Sequence, residues 1–269
     1  MTRPYAEVIG DPIAHSKSPL IHNFWLERLG IDGTYRTAHV TPDGLAAYFE
    51  SRRTDTAWRG CNITIPHKET ALDHVEDRGD LRTSIGAINT VLSEDGALIG
   101  TNTDAAGFYA PISGLDLEGA DVAVVGAGGA ARAVLFALKR VGVANVALLN
   151  RTPIKGAGLL ASFGVKGDAL PLDAPLPPVE LLVNASPLGM TGQPPLTLDL
   201  DPLPEDAVVY DLVYAPLETG LLAAAREREL ATVDGLEMLI GQAAIAFELF
   251  FGQPAPRDRD AELKEILLG

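Results

Sequence analysis

The chain has 269 residues, 47% of them hydrophobic, so it is long enough for two globular domains with sizeable cores. Its formal net charge of −15 argues against nucleic acid and anionic membrane as partners. A single cysteine, Cys61, excludes an internal disulfide. With no apolar signal core and no apolar run that would span a bilayer, the chain is predicted to be cytoplasmic.

The N-terminal segment predicts a strand at residues 5–9, a loop at 10–19 and then an amphipathic helix. Ser18 is a favoured helix N-cap residue and Pro19 suits the first helical position. Ser16 has no such structural task, and two hydroxyls at a helix start also suit a carboxylate. The spacing alone leaves a carboxylate site and a simple helix cap equally open.

Apolar residues alternate with Asn62 and Thr64 along residues 60–65, which predicts a strand with one polar face. Asparagine is a poor strand former, so the presence of Asn62 in this strand needs an explanation. Pro66 ends the strand, and Lys68 is predicted at the start of the next helix. A cation is disfavoured there unless it is solvated or held by an acid. The side chains of Asn62, Thr64 and Lys68 are expected to lie close together at the carboxyl end of the strand.

Residues 33–40 predict another strand, and residues 87–92 and 97–100 predict a hairpin. Asp104 precedes a helical run and is a good N-cap. A functional role for Asp104 would require it to meet Lys68 in space. The chain is also expected to enter a second domain at this point.

The second domain is expected to begin with a strand at residues 122–125 that runs into a glycine turn and a helix at 130–140. Gly126 allows a tight turn, and Gly128 allows the backbone to approach a pyrophosphate. Ala131 is the third small residue, where the helix packs on the strand. The pattern favours a dinucleotide site at the helix N-terminus, with a plain structural turn as the alternative.

The strand at residues 146–149 ends in Asn150, Arg151 and Thr152. A NAD site usually has an acidic residue there to hold the ribose 2′-hydroxyl. This chain instead has Arg151, with Lys155 close behind, and a guanidinium pairs well with a phosphate. The interpretation is NADP rather than NAD, and the alternative is a solvated loop cation.

Further strands at residues 180–183 and 208–213 complete a pattern typical of a doubly wound parallel sheet. Asn184 and Tyr214 follow these strands, where open α/β sheets bind ligands. A turn residue and a packed loop aromatic are the respective alternatives.

The C-terminal part predicts a helix at residues 235–250 that is apolar nearly all round and therefore buried, followed by a short helix at 261–268. Gln242 is the polar exception and needs hydrogen-bond partners, from neighbouring backbone or from a ligand.

Together these motifs resemble the shikimate dehydrogenase family over nearly the whole chain. The resemblance implies an α/β fold with two domains. Residues 1–103 plus 236–269 would form an N-terminal α/β substrate-binding domain. Residues 104–235 would form a Rossmann-type NADP-binding domain with a doubly wound parallel sheet. His67 is one departure, because many relatives carry another residue there, and it could alter substrate preference or the local pKa.

The resemblance also implies site residues, with Lys68 and Asp104 as the catalytic pair. The substrate positions would be Ser16, Ser18, Thr64, Lys68, Asn89, Asp104, Tyr214 and Gln242. The NADP positions would be Gly126, Ala127, Gly128, Gly129, Ala130, Asn150, Arg151, Thr152, Lys155, Leu212 and Gly235. No metal is expected.

The implied reaction is the reversible reduction of 3-dehydroshikimate to shikimate by NADPH, in the pathway to chorismate and the aromatic amino acids. Quinate dehydrogenase, or an enzyme for an amino analogue of shikimate, is one alternative. An NADP-sensing regulatory protein without turnover is another, although it would have no need of Lys68 and Asp104. The sequence leaves open whether the protein forms a homodimer.

Overall fold

The computed structural model describes residues 3–268. The chain forms two compact units. The first contains the chain up to Thr103 and resumes at Ile240, and the second spans Asp104–Leu239. Each unit is built around a β-sheet of its own. Within residues 3–268 no helix is long and apolar enough to cross a membrane.

The first unit has a five-stranded mixed sheet. Its strands are β1 (Tyr5–Gly10), β2 (Thr34–His39), β3 (Trp58–Ile63), β4 (Thr90–Glu94) and β5 (Ala97–Thr101). They lie in the order β2-β1-β3-β4-β5, with β1 parallel to both β2 and β3. The carboxyl ends of these three strands therefore meet at one edge of the sheet. The predicted hairpin is confirmed as the antiparallel pair β4 and β5.

Three helices belong to the N-terminal part of the first unit: α1 (Ser18–Arg28), α2 (Leu45–Arg52) and the short α3 (Leu81–Ser84). Since α1 begins at Ser18, the residue in the N-cap position is Lys17. The prediction that Ser18 caps this helix is therefore wrong. The carbonyl of Lys17 already accepts the N–H groups of Leu20 and Ile21, at 3.1 and 3.2 Å, which starts the helix earlier than expected.

The second unit has a six-stranded sheet in which all strands are parallel, and the predicted doubly wound parallel sheet is confirmed. The order is β11-β10-β9-β6-β7-β8, so it reverses between β9 and β6. The strands are β6 (Asp121–Val125), β7 (Asn145–Leu149), β8 (Gly167–Leu170), β9 (Leu181–Asn184), β10 (Val208–Asp211) and β11 (Ala231–Val233). The helices of this unit are α4 (Asp104–Tyr109), α5 (Gly129–Val141), α6 (Pro153–Phe163) and α7 (Gly220–Glu227).

The centre of the second sheet is buried on both faces, as the continuous apolar run of β6 predicted. Val122 and Val124 pack into one cluster with Leu138 of α5. Ala123 and Val125 point the other way, into a second cluster around β9, β10 and α7. The two edge strands, β8 and β11, are short and partly polar, and no strand was predicted at either place.

The chain ends in two helices, α8 (Gly235–Phe251) and α9 (Asp260–Leu268). The boundary between the units falls inside α8, after Leu239. One face of α8 is exposed at Ile245 and Leu249, so the prediction of burial nearly all round is wrong for that face.

An aromatic cluster fills the core of the first unit beside α1 and α8. The His22 ring stacks on Tyr35 with centroids 3.9 Å apart and planes 4° apart. Trp25 meets it edge-on at 5.7 Å, and Phe247 and Phe250 complete its surroundings. Among the described residues, neither ring nitrogen of His22 has a hydrogen-bond partner. Burial lowers the pKa of His22 to about 3, so the ring is neutral.

Candidate active site

The loop after β1 carries the two serines predicted to bind a carboxylate. The Ser16 Oγ accepts the backbone N–H of Ser18, the first residue of α1, at 3.3 Å, so the Ser16 hydroxyl contacts the start of this helix. Between them, the ammonium of Lys17 donates to the carbonyl of Leu267, near the C-terminal end of α9. A cation is favoured at that end of a helix. The last helix of the chain therefore anchors the serine loop.

Thr64 follows β3 and is held against the end of β1. Its N–H donates to the Ile9 carbonyl at 2.9 Å. A Cβ on Gly10 would lie 2.6 Å from the Thr64 Cγ2 and 3.0 Å from the Ile65 carbonyl oxygen. Only glycine leaves room for this approach, so the serine loop and the Thr64 turn begin at the same point of the sheet.

Lys68 lies in a series of turns between β3 and a short 3₁₀ segment, Thr70–His74. The prediction that Lys68 begins a helix is wrong, and the dipole argument drawn from it does not apply. Its carbonyl accepts the N–H of Ile88 at 2.8 Å, which ties this turn to the segment before β4. The Lys68 side chain is half-buried.

Asn62 is buried inside β3, where its amide cross-links three strands. The Tyr35 hydroxyl donates to its Oδ1 at 2.6 Å. Its Nδ2 donates to the Thr90 Oγ1 at 3.0 Å and to the Asn89 carbonyl at 3.3 Å. These bonds join β2, β3 and the start of β4, and they explain why a poor strand former occupies this position.

The same network continues through Asn89. Its Oδ1 accepts the Thr103 N–H at 2.7 Å and the Thr90 hydroxyl at 3.1 Å. Its Nδ2 donates to the Thr103 Oγ1 at 2.8 Å and to the Gln242 Oε1 at 3.2 Å. The buried Gln242 therefore has the side chains of Asn89 and Thr103 among its partners. Thr103 immediately precedes Asp104, which begins the second unit.

The sequence singled out Asn89 and Gln242 but missed Tyr35, Thr90 and Thr103, which hold them in place. Tyr35 and Thr90 read as ordinary strand residues, because tyrosine and threonine are both common in strands. The available signal was the pair Asn62 and Asn89, since buried amides require several partners.

In the second unit, β6 leads through Gly126 and Gly128 into α5, as predicted. Gly126 has a φ of 107°, and a Cβ there would lie 3.0 Å from the Ala185 carbonyl oxygen. Gly128 is exposed, and a Cβ there would meet no described heavy atom within 4 Å. Gly128 is also the N-cap of α5 and has no side chain to accept the first N–H groups. The turn therefore leaves helix N–H groups open to an anionic ligand.

The basic loop after β7 lies beside this glycine turn. β6 and β7 are neighbours in register, and the N–H of Gly126 donates to the Leu149 carbonyl at 2.8 Å. Arg151 and Lys155 are both exposed around the start of α6. Asn150 shapes this loop by donating from its Nδ2 to the Thr152 carbonyl at 2.9 Å. Two cations next to an open helix N-terminus fit the phosphates of a dinucleotide, the 2′-phosphate included.

Leu212 and Gly235 meet at the carboxyl ends of β10 and β11. A Cβ on Gly235 would lie 2.3 Å from the Leu212 carbonyl oxygen, so only glycine permits the contact. Tyr214 lies just beyond Leu212, where burial raises the pKa of its hydroxyl. Of the predicted substrate residues, Tyr214 and Asp104 belong to the second unit and the others belong to the first.

A buried network beneath these loops was not predicted. Asp211 accepts from Asn184 Nδ2 at 2.8 Å, from the Thr219 hydroxyl at 2.7 Å and from the Val213 N–H at 3.0 Å. Burial raises the pKa of the Asp211 carboxyl, and these donors oppose that rise. Asn184 also donates to the Leu188 carbonyl at 3.0 Å and accepts the Ser186 N–H at 3.1 Å, so it orders the loop after β9, as in the structural alternative. Within residues 3–268 no group of three His, Cys, Asp or Glu side chains could hold a metal ion.

Comparisons with known proteins all indicate one family. A family model described as "Shikimate dehydrogenase substrate binding domain" matches residues 8–91, and one described as "Shikimate 5'-dehydrogenase C-terminal domain" matches residues 235–262. A curated relative, "Shikimate dehydrogenase (NADP(+))" of Sphingopyxis alaskensis, is 68% identical over 266 residues, which cover 98% of this chain and 97% of the relative.

Solved structures show the same fold. Shikimate 5-dehydrogenase from Thermus thermophilus, in complex with NADP(H) and shikimate, is 38% identical, with a TM-score of 0.87 and coverage of 98% of this chain and 99% of that chain. The ligand-free 5-ketofructose reductase of a Gluconobacter strain is 28% identical, with a TM-score of 0.89 and coverage of 99% of both chains. The fold alone therefore does not identify the substrate.

Proposed function

Since the chain belongs to the shikimate dehydrogenase family, we infer that it is an NADP-dependent oxidoreductase acting on a CH–OH group. It catalyses the reversible reduction of 3-dehydroshikimate to shikimate by NADPH, in the pathway to the aromatic amino acids. The observation that carries this conclusion is the 68% identity to an NADP-dependent shikimate dehydrogenase over 98% of the chain.

We propose that the first unit binds the substrate and the second binds NADP. Ser16 and Ser18 would hold the substrate carboxylate, because Ser16 lies in the loop after β1 and Ser18 is the first residue of α1, which follows that loop. Thr64, Asn89 and Gln242 would hold its hydroxyls. The network around Asn89 supports this assignment, because fixed amides can select the orientation of a polyhydroxylated ring without reorganising.

In the second unit, residues 126–130 would hold the pyrophosphate on the N-terminus of α5. Asn150, Arg151, Thr152 and Lys155 would hold the 2′-phosphate. The exposure of Arg151 and Lys155 beside the glycine turn supports the preference for NADP over NAD. Leu212 and Gly235 would contact the nicotinamide half, and Tyr214 would contact the substrate.

When bound, NADPH supplies the hydride that reduces the substrate carbon C3. We assign the proton to Lys68. Its ammonium donates a proton to the ketone oxygen as negative charge develops there, and in the reverse direction its neutral amine accepts the hydroxyl proton. We propose Asp104 as the second member of the catalytic pair. We also propose, from the single buried Cys61, that the enzyme works in the reducing cytoplasm.

The test follows absorbance in the NADPH band with purified protein and 3-dehydroshikimate. Parallel reactions contain 3-dehydroquinate, and NADH in place of NADPH. The expected result is rapid turnover with 3-dehydroshikimate and NADPH, and much slower turnover with 3-dehydroquinate or with NADH. A preference for 3-dehydroquinate would identify a quinate dehydrogenase instead. Tight NADPH binding without turnover on any substrate would identify an NADP-sensing protein.

A further inference from the structure

His67 immediately precedes Lys68, and its side chain is almost completely buried, with 1% of its surface exposed. Its ring Nε2 lies 2.6 Å from the carbonyl oxygen of Val40, the residue after β2. A carbonyl oxygen only accepts hydrogen bonds, so the Nε2 must carry the proton and donate. The ring is therefore a fixed link between the Lys68 turn and the end of β2.

The backbone of His67 is held as firmly as its ring. Its N–H donates to the Thr64 carbonyl at 3.0 Å, and its carbonyl accepts the Ala71 N–H at 2.9 Å. Val40 in turn donates its N–H to the Gly10 carbonyl at 3.3 Å. One imidazole thus connects the carboxyl ends of β1, β2 and β3, where the serine loop and Thr64 also begin.

We propose that His67 is a positioning residue for Lys68, an inference that rests on the proposed function. The turn is fixed on one side by the bond from His67 to Val40. On the other side it is fixed by the bond from the Ile88 N–H to the Lys68 carbonyl. A lysine side chain is long and flexible, so the reach of its ammonium depends on where its Cα is held. Without the imidazole bond, the Lys68 turn loses its side-chain link to the end of β2.

This role differs from the two effects that the sequence suggested for His67, a change in substrate preference or in local pKa. The ring is buried and its Nε2 is engaged by a backbone carbonyl, so it works through the backbone of its neighbour. Loss of the bond should therefore reduce turnover of 3-dehydroshikimate and 3-dehydroquinate in the same proportion. A side chain that touches the substrate would change their ratio.

The experiment compares three variants with the wild-type enzyme. His67→Phe keeps a ring but removes the donor, His67→Gln retains an N–H donor, and His74→Phe is the matched control. His74 belongs to the same unit, and its ring packs on Phe49, with centroids 5.7 Å apart. For each protein, kcat and KM with both substrates and the melting temperature are measured.

For His67→Phe we expect kcat to fall about 10- to 100-fold, as for a small misplacement of a reacting group. The KM should change by less than about threefold, because substrate binding is retained. His67→Gln should recover most of the lost kcat, and His74→Phe should keep the wild-type value.

The proposal is overturned if His67→Phe keeps wild-type kcat, or if kcat falls in all three variants in step with the melting temperature. A changed ratio between the two substrates would overturn it in favour of direct contact. If His67→Phe does not fold, a His67→Gln variant with wild-type stability and a roughly 10-fold lower kcat would refute the role of the donor. A wild-type protein without turnover would overturn the proposed function and this inference together.

Discussion

Acidification from pH 7 to pH 5 should destabilise the first unit through His22. The ring is fully buried among aromatic side chains, and its pKa of about 3 is far below the ordinary value of 6.5. In the unfolded chain the ring takes up a proton as the pH falls through 6.5, whereas the folded ring does not until about pH 3. The unfolded state binds more protons over this window, so the free energy of unfolding falls as the pH falls.

The magnitude follows from the two pKa values. Each pH unit below the unfolded pKa removes about 1.4 kcal/mol, so moving from pH 7 to pH 5 should remove about 2 kcal/mol. The variant His22→Phe keeps an aromatic ring against Tyr35 and cannot be protonated. It should therefore lose about 2 kcal/mol less than the wild type over the same pH change.

The assay is urea unfolding followed by tryptophan fluorescence at both pH values. Both tryptophans, Trp25 and Trp58, are buried in the first unit, so their emission reports on that unit. Comparing the pH-dependent change in the two proteins cancels the contributions of the other titrating groups. Equal losses of unfolding free energy in wild type and variant would refute the reasoning.

The remaining predictions concern ligand binding and turnover. Lys68→Ala should lower kcat about 10²- to 10⁴-fold with a modest change in substrate KM, and steady-state kinetics showing near-full turnover would exclude its catalytic role. Arg151→Asp should weaken NADPH binding far more than NADH binding in titrations, and equal losses would mean that Arg151 does not contact the 2′-phosphate. Gly235→Ala puts a Cβ 2.3 Å from the backbone oxygen of Leu212, so it should lower the melting temperature and weaken NADPH binding. An unchanged melting temperature and NADPH affinity would show that the backbone relaxes. Lys17→Ala should raise the KM for shikimate about 3- to 10-fold, because it removes the hydrogen bond to the Leu267 carbonyl. Arg28→Ala, which breaks the ion pair from α1 to Glu262 of α9, should leave the KM unchanged, and equal effects would locate the cause in general stability.

Strands with a continuous or alternating apolar pattern could be predicted from the sequence. The glycine turn could be predicted because a buried parallel strand needs a continuous apolar run and a tight turn needs glycine, and both requirements are visible in the sequence. The structure confirms the strand, turn and helix around Gly126. The edge strands β8 and β11 left no such signal, because an edge strand in a parallel sheet buries few side chains.

The site could be predicted only as a set of separate motifs. The start of α1 was misplaced because Ser18 is a favoured cap by type, whereas the backbone of Lys17 decides where the helix begins. The links from Tyr35 to Asn62 and from His67 to Val40 join residues far apart in sequence. Such contacts depend on the order of the strands in the sheet, which no local pattern encodes.

The path of the chain through the two units has a consequence for how the protein is made. The second unit is continuous, Asp104–Leu239, and its strands and helices are all synthesised before the C-terminal segment. The first unit cannot complete its core until α8 supplies Phe247 and Phe250 to pack around His22. Contacts between distant segments form slowly, and domains tend to fold as units during synthesis. On the ribosome, the second unit should therefore fold before α8 can pack on the sheet formed by β1–β5. Until then one face of that sheet is uncovered, and the nascent chain is most prone to aggregate at this stage.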